Sequence, residues 1–151
     1  MLKNIIAWAV LTAGLATSLA AQSNDRLDEL LSQAQARLDS TSYLLLASSG
    51  VVAEDATPDA AFAAAQAAGW IGKNRHAEDG VSVEDLSFLL MKSQKLPGGV
   101  EWMLLPSPRA AYRELNAKGL INSSAGPQRL VAGDEVIRTF NAAHPSQGGQ
   151  E

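Results

Sequence analysis

Shifted by fifty positions, the chain falls on itself without a gap. Ala60-Ala61-Phe62 lies on Ala110-Ala111-Tyr112, Ala67 on Ala117, Gly69-Trp70-Ile71 on Gly119-Leu120-Ile121, Val81 on Val131, and Glu84-Asp85-Leu86 on Asp134-Glu135-Val136. Alanine matches alone would follow from an alanine-rich composition. An aromatic, a terminating Gly, an Ile, a Val and an acidic pair kept in one register would not. A second echo, at a different shift, sets Ser42-Tyr43-Leu44-Leu45-Leu46 against Ser87-Phe88-Leu89-Leu90-Met91. Each unit reads as a helix ending in Gly, an apolar pair, a polar loop, a Val, and a second helix opened by an acidic pair. One helix–loop–helix unit cannot bury its apolar stripe alone, so two must pack together to close a core. The repeat predicts an all-α fold of two such units, preceded by an N-terminal amphipathic helix.

Local signals place the helices. Leu27, Leu30, Leu31, Ala34 and Leu38 keep the spacing of one helix face, with Asp25, Asp28 and Glu29 near the positive end of its dipole. This predicts a first helix from Asp25 to Leu38, interrupted by Ser40-Thr41-Ser42. Tyr43 to Ala47 suits either a strand or a helix that Gly50 stops, and the repeat decides for helix. Thr57-Pro58 and Ser107-Pro108 each combine an N-cap hydroxyl with a proline at the first helical position, and Gly69 and Gly119 stand past the corresponding ends. Ser82-Val83-Glu84-Asp85 has the form of a capping box with Asp in the usual place of Glu.

This arrangement resembles the S-layer homology domain. That family's unit is a helix ending in Gly, an apolar pair, a polar loop and a second helix introduced by an Ile-Thr-Arg-Ala-Glu signature. Two units would cover Ala60 to Phe140, with Gly69 or Gly119 at the first helix end. Val81 or Val131 takes the first signature position, Ser82 or Ala132 the Thr position, and Asp85 or Glu135 the acidic one. The resemblance implies packed helical repeats and an anionic cell-wall polysaccharide held in grooves between them. The signature Arg, which helps hold that polysaccharide in the family, is replaced here by Val83 in one unit and Gly133 in the other. The fold therefore carries over better than the ligand. The family usually has three units; Ser42 to Val52 reads as the trailing helix of a degenerate first one.

Residues 1–21 read as an export signal. Met1 to Asn4 supply a short positive start, Ile5 to Leu15 an apolar run, and Ala16 to Ala21 small residues suited to cleavage after Ala20 or Ala21. The run is too short, and too broken by Thr and Gly, for a membrane anchor. With no Cys in the chain, acylation of a cysteine, a disulfide framework and a Cys-ligated metal are closed. Lys3 is the only charged residue of this segment, so residues 22–151 carry 11 basic against 16 acidic groups, a formal −5. That sign, with no clustering of Lys and Arg along the sequence, argues against nucleic acid and anionic membrane surfaces. No stable membrane insertion is expected after signal cleavage. Residues 22–41 then form the N-terminal helix, 42–143 the two-repeat domain and 144–151 a disordered tail.

No pattern of catalytic chemistry stands out. His76 and His144 lie in a polar loop and the tail, without the spacing of metal ligands. No Gly-x-Ser-x-Gly elbow occurs, and Gly98-Gly99 lacks the Lys-Ser/Thr of a phosphate loop. The acidic pairs Glu84-Asp85 and Asp134-Glu135 suit the first turn of a helix. Tyr43, Phe62, Phe88, Tyr112 and Phe140 occupy core positions of the pattern. Between the units lies an insertion, Leu96 to Leu105, with an exposed turn followed by an apolar cluster. Trp70 and Trp102, with Lys73, Arg75 and Arg109 near them in sequence, form the one candidate ligand constellation, since an indole can stack on a sugar as well as fill a core; for Trp70 the repeat partner Leu120 favours the core. No metal or cofactor is expected. The sequence thus describes an exported, non-enzymatic cell-envelope module, periplasmic or envelope-associated, that binds a cell-wall polysaccharide or an envelope protein. The alternative is a periplasmic structural or adaptor protein that docks through its N-terminal helix.

Overall fold

Thr57 and Ser107 do what their positions demand. Their hydroxyls accept from the backbone N–H of Ala60 and Ala110, both at 3.2 Å, and a proline follows each. The helices they start end at glycines in the left-handed region, Gly69 at φ 75° and Gly119 at φ 69°, where a β-carbon would be strained. The computed structural model describes residues 22–121, 124 and 126–144. The expected export signal and most of the expected tail lie outside these residues.

The described residues contain a helix over 22–32 (α1), then α2 (Leu38–Ser48), α3 (Pro58–Ala67), α4 (Val83–Ser93), α5 (Val100–Leu104), α6 (Pro108–Ala117) and α7 (Gly133–Ala143). No strand occurs among them, and the fold is all-α as the repeat requires. Helix α2 packs on α3 and α4 on α6, while α2 also touches α4 and α7, and α5 lies on α6. The core runs through Leu30, Leu45, Leu46, Leu86, Leu89, Leu90, Leu115 and Val136, all buried. Tyr43 and Phe88 are buried too, and Phe62, Tyr112 and Phe140 pack against this core from its edge.

At the centre, three extended segments close a ring of backbone hydrogen bonds. Ala36 N–H donates to the Val131 carbonyl (2.8 Å), Val131 N–H to Val81 (2.9 Å), and Val81 N–H to Ala36 (2.9 Å). Two residues further along each segment the donors close the ring in the opposite sense, Leu38 donating to Asp79 (3.0 Å), Val83 to Arg129 (2.9 Å) and Gly133 to Gln33 (2.9 Å). These are the segments that lead into α2, α4 and α7. Buried backbone groups must find partners, and here each segment satisfies the next. The spacing of fifty between Val81 and Val131 is therefore a hydrogen-bonding register as well as a sequence echo. The positions where the signature Arg is replaced, Val83 and Gly133, are buried beside this ring.

The ring also corrects the first helix boundary. The helix expected over Asp25 to Leu38 ends at residue 32, and α2 begins at Leu38 and runs through Ser40, Thr41 and Ser42. Arg37 is extended (φ −92°, ψ 152°), because Ala36 must reach Val131 while the Arg37 N–H bonds to the Gln33 side chain (2.9 Å). A Ser-Thr-Ser run is a weak helix former, yet tertiary contacts override that preference here. The first turns of α2 are enclosed on every side, from Leu38 to Tyr43. Leu38 is buried in the first turn of α2 and no longer continues the face of Leu30.

Candidate functional site

Helix α5 has five residues and no side-chain cap, so it cannot hold itself together and must be held by its neighbours. Gly99 N–H donates to the Glu114 carboxylate (2.7 Å), Arg113 pairs with Glu101 (2.8 Å), and the Lys118 ammonium donates to the Pro97 carbonyl. The inward anchor is Trp102. It is 9% exposed, meets Phe88 edge to face at 5.8 Å, and carries the Lys92 ammonium 5.2 Å from its ring centre. Gly98 packs so closely that a methyl group there would fall 2.4 Å from the indole.

With Trp102 turned inward, the remaining apolar side chains point out. Val100, Met103, Leu104 and Leu105 are 73%, 75%, 73% and 74% exposed. Val100, Met103 and Leu104 share a face by helical spacing, and Leu105 extends it past the helix end. Single exposed apolar residues are ordinary on a protein surface; four between positions 100 and 105, three of them on one helix and one at its end, call for a partner. We take this ledge as the candidate site. The sequence marked its cluster, but which residue of five would turn inward depends on Phe88 and Lys92 in another helix.

Among the described residues no ring contact, hydrogen bond or ion pair joins any two of the four residues expected from the sequence to bind a ligand, Trp70, Arg75, Trp102 and Arg109. Trp70 is half-buried against the core just past α3, Trp102 lies beneath the ledge, and Arg109 is exposed in the first turn of α6. Arg75 is committed internally. Its guanidinium bonds to Asp79 (3.1 Å), Asp85 (3.2 Å) and the Gly80 carbonyl (2.9 Å), tying the loop after α3 to the start of α4. Burial pulls its pKa down, but the charge of Asp85 and the hydrogen bonds to Asp79 and Asp85 outweigh that and leave it raised. Asp79 is held below the ordinary carboxylate range by the His76 backbone N–H first and by Arg75 second.

The second unit repeats this device. Arg129 donates to Glu135 (2.8 Å), and the bond raises its pKa against the cost of burial. Arg129 and Glu135 line, with Leu120, Arg138 and Thr139, an open concavity of about 390 Å³. The acidic positions Asp85 and Glu135 thus hold the preceding loop by an arginine, and Asp85 closes the predicted capping box with Ser82 at 3.1 Å in both directions. Asp85→Ala removes the acceptor for the Ser82 N–H and the ion pair together, leaving the bond of its own N–H to the Ser82 hydroxyl in place, and is expected to cost about 1–2 kcal/mol. Asp85→Asn keeps an acceptor and should recover the capping share, so urea unfolding of the two variants separates the contributions.

No three His, Asp or Glu side chains among the described residues converge as metal ligands. No helix among them is long and apolar enough to cross a membrane. No protein-family model matches the sequence. Comparison with curated proteins and with solved structures gave no match in either case.

Proposed function

We propose that this chain is an exported, non-enzymatic module of the cell envelope that works by surface contact through the α5 ledge. The observation that carries this reading is the outward display of Val100, Met103, Leu104 and Leu105 on and just past a helix anchored in the core by Trp102. Such a surface is stabilised by an apolar partner. A wall polysaccharide, the partner implied by the S-layer homology resemblance, draws less support. The indole best placed to stack on a sugar is enclosed by Phe88, Lys92 and Gly98, and Arg75 already serves Asp79 and Asp85.

The adaptor reading gains, with its contact moved. Helix α1 is part of the core rather than a free arm: Leu30 is buried, and Arg26 bonds to the Ala56 carbonyl (2.6 Å) and stacks over Tyr43 at 4.6 Å. Among the described residues the ledge displays the most exposed large apolar side chains, at 73–75% against 47% or less elsewhere. In exporting cells, the protein should fractionate with the envelope, and the double variant Leu104→Asp/Leu105→Asp should move to the soluble fraction with its circular dichroism unchanged. Equal partitioning of the two would overturn the reading. Co-sedimentation with purified sacculi that survives the double substitution would restore the polysaccharide.

A further inference from the structure

Although no run of Lys and Arg clusters along the sequence, their balance against Asp and Glu is uneven in a way the total conceals. Residues 92–118 hold Lys92, Lys95, Arg109, Arg113 and Lys118 against Glu101 and Glu114, a formal +3, whereas the rest of residues 22–151 holds 6 basic and 14 acidic groups, a formal −8. Of these five cations, Lys92 lies over the inward-facing Trp102, Arg113 pairs with Glu101 on α5, and Lys118, paired with Glu114 at 3.8 Å, reaches Pro97 just before α5. Lys95 and Arg109, which flank the insertion, are exposed, and no ion pair among the described residues neutralises either.

We propose that the α5 ledge docks peripherally on an anionic phospholipid surface. Val100, Met103, Leu104 and Leu105 enter the boundary between headgroups and acyl chains, and the exposed Lys95 and Arg109, which flank the insertion in sequence, face the lipid phosphates. This rests on the ledge being the working surface. Three observations favour lipid over a protein partner. The exposed side chains are aliphatic apart from one Met, with no exposed aromatic anchor of the kind that dominates protein interfaces. Four side chains offer on the order of a few hundred Å² of apolar area, short of the roughly 800 Å² per partner of a standard protein interface. The cationic rim supplies the second signal that shallow apolar insertion needs for stable attachment.

The formal −5 of residues 22–151 does not oppose this, because charges beyond a Debye length of about 8 Å are screened at physiological ionic strength. The element lies on a membrane; it does not span one.

The test is sedimentation of the full chain with vesicles of phosphatidylcholine alone and of phosphatidylcholine with phosphatidylglycerol. Residues 1–21 are common to every variant, so differences between variants read the ledge. Binding is expected on the anionic vesicles, falling at least about 10-fold in 0.5 M NaCl, in Leu104→Asp/Leu105→Asp and in Lys95→Glu/Arg109→Glu. Equal binding to both vesicle types, or binding that either double variant leaves unchanged, overturns the proposal. If purified protein ignores the anionic vesicles while the aspartate variant still leaves the envelope in cells, the ledge is the working surface and a protein covers it.

Discussion

Gly133→Ala is expected to destabilise the protein by about 3 kcal/mol or more, with the loss read from the urea midpoint. Local reasoning expects the opposite sign, since alanine is favoured over glycine by about 1 kcal/mol inside a helix and Gly133 opens α7. The difference lies in what the position faces. A β-carbon on Gly133 would stand 1.7 Å from the Leu30 carbonyl oxygen and 2.7 Å from its carbon. Both belong to backbone at the end of α1, so no side chain can rotate away. Relief requires α1 to withdraw, which breaks the Gly133-to-Gln33 bond and pulls Leu30 from the core. A variant as stable as the parent would show that the close approach of α1 and α7 is not a feature of the folded state.

Trp102→Ala should cost about 3 kcal/mol, toward the lower end for a large aromatic removed from a core because the ring sits at its edge. The damage is expected to be local. Helix α5 packs on α6 and reaches α4 through the indole, so its loss frees residues 99–105 while the α2–α3 pair stays folded. Amide exchange should therefore accelerate across α5 and remain slow in α2 and α3. Trp102→Phe keeps part of the contact with Phe88 and should fall between the two. Envelope attachment should fail in the alanine variant along with α5, even though every exposed ledge residue is intact. Uniform acceleration of exchange across the chain would show instead that Trp102 belongs to the global core.

The starts and stops of α3, α4 and α6 were legible because their causes are local. A hydroxyl three residues before an amide, a proline that needs no donor and a glycine free to take positive φ all act within one turn. The expected break at Ser40 to Ser42 failed for a non-local reason: the true break is at 33–37, where Ala36 joins Val81 and Val131 from far along the chain. Arg75 looked available for a ligand because Asp85 is ten residues away, and only the fold brings the two to 3.2 Å. The net charge, being a sum, could not show that residues 92–118 carry a formal +3 while the rest of residues 22–151 carries −8.

The repeat of fifty, taken alone, pointed to an all-helical chain of two like-patterned units, since periodic apolar faces and caps are short-range properties of the residues that carry them. Tertiary structure decided which side chains those units leave outside. It closed the ring at Ala36, Val81 and Val131, turned Trp102 inward against Phe88, and left Val100, Met103, Leu104 and Leu105 exposed. Burial is a property of pairs of surfaces, and a sequence specifies only one member of each pair at a time.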